Sequence, residues 1–149
     1  MQQWSDPATI SIFQASLDRC IIDSSFLTRF YSHFRATNAD AAKRFANVDM
    51  TRQERVLRAS LYMILRAAQG GDDGLQHLSE IADTHSQGRH DVGAAEYEHW
   101  MASLVHAVSE CDPVFDASVE SAWRSCIQPC IDRMIARRTE FEQKPKKPR

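Results

Sequence analysis

Gly70-Gly71-Asp72-Asp73-Gly74, then Leu75-Gln76-His77-Leu78-Ser79-Glu80-Ile81-Ala82-Asp83-Thr84-His85, then Gly88 and Gly93: this window holds all five glycines of the 149-residue chain. Glycine inside a helix costs roughly 0.8–1 kcal/mol against alanine, so helices avoid it and tight bends attract it. Its confinement to positions 70–93 marks the stretch where the chain must bend tightly. Within the window a short apolar segment, Leu78, Ile81 and Ala82, ends in His85. Counting back four and seven residues from His85 gives Ile81 and Leu78, so its helical position faces the core. The same steps from His90 give the polar Ser86 and Asp83.

On either side the chain reads as glycine-free helices. Asp6-Pro7 supplies a capping acceptor and a first-turn proline, and Ile10, Phe13, Leu17 and Cys20 follow at helical spacing, with an end expected near Cys20. Asp23 is the expected cap of a second helix bearing Phe26, Phe30 and Phe34, with Leu27 and Tyr31 on the same broad face. A short third piece runs from Asn38 to about Phe45. Thr51 and Glu54 have capping-box spacing ahead of Leu57, Leu61, Ile64, Leu65 and Ala68. Beyond the glycines, Tyr97, Trp100, Met101, Leu104, Val105 and Val108 form another stripe closed by Asp112-Pro113. A last helix starts near Asp116 and passes Met134, with Pro129 expected to kink or divide it. No segment alternates apolar and polar residues up to a turn dipeptide, so the expected fold class is all-α.

A net charge of −2 gives no broad attraction to nucleic acid or to an anionic membrane. The four cysteines, at 20, 111, 126 and 130, form no Cys-x-x-Cys pair, which excludes the usual zinc and redox spacings and covalent haem attachment. The first residues lack a signal-peptide pattern, and no apolar run approaches the ~20 residues needed to span a bilayer, so the expected location is cytoplasmic. One domain over residues 6–140 is expected, followed by a disordered basic tail over 141–149.

Tyr31 precedes Phe45 by fourteen positions, Gln53 follows Phe45 by eight, and Leu57 lies one helical turn past Gln53. This order, completed by His85, resembles the globin family and looks most like its single-domain bacterial members. The resemblance runs from about Ile10 to Arg138 and is carried by Phe30-Tyr31-Ser32-His33-Phe34, Lys43-Arg44-Phe45, Gln53-Glu54-Arg55-Val56-Leu57 and Ile81-Ala82-Asp83-Thr84-His85, with Val92 and Tyr97 following. It implies about seven helices around non-covalent haem b, with reversible binding of oxygen or another diatomic gas. On that resemblance His85 is the proximal iron ligand, Phe45 the aromatic wedge against the porphyrin, Tyr31 and Gln53 the distal pair, and Leu57 the apolar residue above the iron. Val92 and Tyr97 fall beside the haem. Arg89 and His90 read either as partners of a haem propionate or as solvated loop residues, and Lys43 and Arg44 are weaker propionate candidates.

Those roles make physical sense. A neutral imidazole is a good iron ligand when its second ring N–H finds an acceptor, and the Tyr31 hydroxyl and Gln53 amide would stabilise bound oxygen by hydrogen bonds. Two departures from flavohaemoglobins stand out: His85 to Tyr97 is twelve positions, about two longer, and Arg137 and Arg138 stand where those enzymes place a glutamate. The missing carboxylate weakens a nitric-oxide dioxygenase reading. Without a Gly-x-Gly-x-x-Gly fingerprint, that activity would need a separate reductase as partner. A haem-free globin fold serving as a sensing or interaction module is the main alternative. A di-iron protein is weaker, because Glu96-x-x-His99 and His106-x-x-x-Glu110 each occur once where the ferritin-like pattern needs the first motif twice.

Overall fold

The structure, a computed structural model, describes residues 4–86 and 94–143, with side chains described over 4–80 and 94–136. Seven helices and no strand occur among the described residues: α1 (Pro7–Ile22), α2 (Phe26–Thr37), α3 (Ala39–Arg44), α4 (Met50–Ala68), α5 (Asp72–Ser86), α6 (Ala94–Cys111) and α7 (Ala117–Gln143). None of them is long and apolar enough to cross a membrane. The main packing pairs are α4 with α5, α2 with α6, α5 with α7 and α1 with α7.

The helix starts show which capping signals the chain uses. Asp6 accepts from the Thr9 N–H, Asn38 from Ala41 and Asp116 from Val119, each satisfying a first-turn donor. Asp23 acts differently from the expectation: its carboxylate takes the Ser25 N–H and hydroxyl, forming a turn ahead of α2 rather than its cap. The Thr51–Glu54 box does not form either. Asp49 caps α4 from two residues earlier, accepting from Arg52, and Glu54 instead receives the Thr28 hydroxyl.

The glycine cluster also divides its labour. Gly70 has φ +90°, and the N–H groups of Gly70 and Gly71 return to the carbonyls of Ala67 and Arg66, a Schellman ending for α4. Gly74 lies inside α5, and there the requirement is space. A Cβ at that position would stand 2.5 Å from the Ala67 nitrogen and 2.6 Å from the Met63 carbonyl oxygen. The α4–α5 crossing is therefore closer than any side chain permits.

The centre is aromatic and aliphatic. Trp123 is fully enclosed and meets Phe13 and Phe26 edge-on, at centroid distances of 4.9 and 6.1 Å. Its indole N–H donates to the Ser16 hydroxyl at 2.8 Å, which donates to Asp112 at 2.6 Å. Arg19 completes the carboxylate's shell with two hydrogen bonds, so α1, the end of α6 and α7 meet in one satisfied polar chain. Burial pushes the Asp112 carboxyl up, but Arg19, Ser16 and the Val114 N–H outweigh it and hold it below the ordinary 3.8.

Pro129 lacks the N–H that would bond the carbonyl four residues earlier, at Ser125, yet α7 is not divided. The segment before α1 fills the gap: the Ser5 hydroxyl donates to the Ser125 carbonyl at 3.3 Å, and beside it the Trp4 indole N–H donates to the Cys126 carbonyl at 3.1 Å. All four cysteines are buried and free, and burial pushes the Cys20 and Cys130 thiols up to about 12. α7 reaches Gln143, three residues into the expected tail, and 144–149 lie outside the described residues.

Candidate functional site

A cavity of about 340 Å³ opens between α2, the α3–α4 corner, α5, α6 and α7. Its walls are mainly apolar and aromatic: Phe34 and Phe45 on one side, Leu57 and Ile64 from α4, Leu78 from α5, Tyr97 and Trp100 from α6, and Ile127, Cys130, Ile131 and Met134 from α7. The same stripes that build the core build these walls. Phe45 stands at the end of α3, edge-on to Tyr31 at 5.4 Å and tilted against Phe34 at 6.4 Å. These contacts hold its ring at the cavity's edge.

Few polar groups reach the lining. Tyr31, 4% exposed, and Gln53 enter from α2 and α4. Burial pushes the Tyr31 hydroxyl up to about 12, while its hydrogen bond with Gln53 acts the other way. The Gln53 amide can donate to the Tyr31 oxygen, an arrangement that leaves the Tyr31 proton for another acceptor. The Tyr97 hydroxyl donates to the Met134 sulfur at 3.3 Å. Arg44 and Glu96 are the charged residues among the described lining, and they pair with each other at 2.5 Å.

Neither a protein-family model nor a curated protein sequence matches the chain. Among solved structures it is similar to the crystal structure of a protein from Pseudomonas aeruginosa PAO1 described as structurally highly homologous to a human hemoglobin. The TM-score is 0.82 at 29% identity, over 87% of this chain and 97% of that one. This chain has a globin-like fold. An all-helical fold with that likeness is what the sequence order of Tyr31, Phe45, Gln53, Leu57 and His85 led one to expect.

In this globin-like fold, Tyr31, Phe45, Gln53, Leu57 and Tyr97 all line the same cavity. Arg44 lines it too, whereas Lys43 is exposed and does not. His85 lies in α5 seven residues beyond the lining residue Leu78, and its side chain is outside those described. Arg89, His90 and Val92 lie outside the described residues, as do the side chains of Arg137 and Arg138. Sequence reading did not find Glu96 or Met134 as lining residues. Glu96 adjoins the stripe residue Tyr97 and Met134 was read only as part of the last helix; the ion pair with Arg44 and the approach of α7 to Tyr97 give them a role.

Proposed function

We propose that this globin-like protein binds haem b in the cavity and takes up oxygen or another diatomic gas reversibly, with His85 as the iron ligand. The observation that carries the reading is the Tyr31–Gln53 pair, two hydrogen-bonding side chains converging in a space whose described walls are mainly apolar and aromatic. The lining suits a flat apolar macrocycle, and Arg44 at its charged edge suits that molecule's carboxylates. Bound haem would supply the ferrous iron at which the gas is held. The protein's part is to position and to exclude water. Tyr31, with its hydroxyl protonated at any physiological pH, offers a donor whose orientation is fixed by Gln53 and by ring contacts with Phe30 and Phe45. Leu57 and Ile64 keep the donor's surroundings dry, which strengthens its hydrogen bond.

Tyr97 donates to a thioether, and the described lining offers no carboxylate besides Glu96, which is held by Arg44. The test is the absorption spectrum of protein produced with ample haem, taken ferric, after dithionite, and under carbon monoxide and oxygen. A Soret band that moves with each gas is expected, and a colourless protein that refuses added haem would overturn the proposal.

Tyr31→Phe keeps the ring and removes the donor. A hydrogen bond to a partly charged acceptor in a dry site contributes about 1.5–3 kcal/mol, so oxygen should leave the variant roughly tenfold to a hundredfold faster. Stopped-flow displacement by carbon monoxide reads this directly. A rate equal to wild type would remove Tyr31 from the ligand's environment.

A further inference from the structure

His33 and His106 stack their imidazole rings across the α2–α6 contact, with centroids 4.1 Å apart and planes 20° from parallel. Neither lines the cavity, yet each helix also carries cavity wall: Tyr31 and Phe34 lie within two residues of His33 on α2, and Tyr97 and Trp100 lie earlier on α6. The two helices are packed along their length, Phe30 meeting Trp100 edge-on at 5.8 Å, so the stack adds to a seam that already holds. The groups around it come from both helices. His33 Nδ1 lies 2.9 Å from the hydroxyl of Ser103, which is buried. His106 Nε2 lies 3.3 Å from Glu110, which also accepts from Arg29 of α2 at 3.1 Å. His99 stands one turn before Ser103 on α6. α3 and α4 also pack on α2, but their charges are engaged or turned elsewhere: Arg44 faces Glu96, Glu54 faces Thr28, and Asp40 and Lys43 are exposed.

Two neutral rings stack freely, and one proton on His106 completes an ion pair with Glu110 while leaving a cation against a neutral ring. A second proton sets two like charges 4.1 Å apart, one of them on a half-buried ring. Burial and the His106 charge together hold His33 below its ordinary 6.5, with Glu110 acting the other way. Ser103 opposes neither state, since its hydroxyl donates to a neutral ring nitrogen and accepts from a charged one. We propose that the His33–His106 stack is an acid-sensitive joint of the α2–α6 seam: it holds while the pair carries at most one proton, and a second proton parts the rings and loosens the turn of α2 that brings Tyr31 and Phe34 to the cavity. The joint does not depend on what fills the cavity. The unfolded ring takes its proton near 6.5 and the folded one only at lower pH, so the joint stabilises the fold above 6.5. That contribution is lost as the pH falls through the folded value.

The test is a histidine-ring NMR titration of the full-length protein beside His33→Asn, His106→Gln and Glu110→Gln. His33 should titrate below 6.5 in wild type. Its midpoint should rise in His106→Gln and fall further in Glu110→Gln, opposite shifts that a merely structural contact would not give. Amide exchange over residues 31–37, corrected for its intrinsic pH dependence, should rise several-fold between about pH 7.5 and about pH 5 in wild type. It should stay within about twofold in His33→Asn, whose amide stands near the Nδ1 position beside Ser103 and takes up no proton. The melting temperature lost over the same interval should be about 2–4 °C smaller in that variant than in wild type. A His33 midpoint at or above 6.5, a midpoint unmoved in His106→Gln, or the same acid loss in His33→Asn as in wild type would overturn the joint. If His33→Asn fails to fold, His106→Gln decides alone: a raised His33 midpoint with acid-independent exchange over 31–37 upholds the joint, and wild-type behaviour removes it.

Discussion

His85→Ala is expected to abolish the normal Soret spectrum and to weaken haem retention by at least about 100-fold, beyond the 10–100-fold typical of losing a supporting residue. The fold should survive, because position 85 lies near the end of α5 and alanine is the strongest helix former. Far-ultraviolet circular dichroism should therefore match wild type while the haem spectrum does not. Seven residues of helix, about 10 Å, separate this position from Leu78 in the cavity wall, so α5 brings the chain past the cavity before it leaves for the 87–93 segment. Imidazole added to the variant should restore part of the spectrum by occupying the truncated site. An unchanged spectrum in His85→Ala, with loss in His90→Ala instead, would transfer the ligand role to the later histidine.

Gly74→Ala should destabilise the protein by about 2 kcal/mol, lowering its melting temperature by roughly 4–8 °C. Helix propensity alone gives the opposite sign, a gain of roughly 0.8–1 kcal/mol, so the measurement separates two mechanisms. The new methyl group would meet backbone atoms of α4, the Ala67 nitrogen and the Met63 carbonyl, which cannot rotate aside. α5 must then shift away from α4. Since α5 carries Leu78 in the wall and His85 beyond it, the same variant should lose haem faster than wild type. A melting temperature at or above wild type would mean that the crossing yields without cost.

The helices were legible because each buries a stripe at a spacing that no strand would share. Phe26, Phe30 and Phe34 on α2, and Leu57, Leu61 and Ile64 on α4, are buried as their periodicity requires. Capping was less legible. Asp49 immediately precedes α4 and caps it, so Thr51, with the same capping chemistry, falls inside the first turn, a shift of two residues that two closely spaced capping side chains leave open in the sequence. Gly74 was read as part of a bend, although its absent side chain serves the approach of two helices. Tyr31, Phe45, Gln53 and Leu57 could be placed around one pocket because their order resembles a known family. Glu96 could not, since its partner is fifty-two positions away and neither residue carries a local signal.

The clasp of the chain's start on the proline turn of α7, Ser5 on the Ser125 carbonyl and Trp4 on that of Cys126, joins residues 120 and 122 positions apart. A closure of that span pays its loop entropy only after nearly everything between its ends has ordered, which places it late along the folding route. The turn of α7 that it completes leads into Ile127, Cys130 and Ile131, the far wall of the cavity. The far wall of the cavity is therefore expected to take its final form at the finish of folding rather than at its start. Substituting Trp4 with phenylalanine, which removes the indole donor, should accelerate unfolding while leaving the refolding rate nearly unchanged in stopped-flow chevrons. A slowed refolding limb would instead put the clasp in the nucleus.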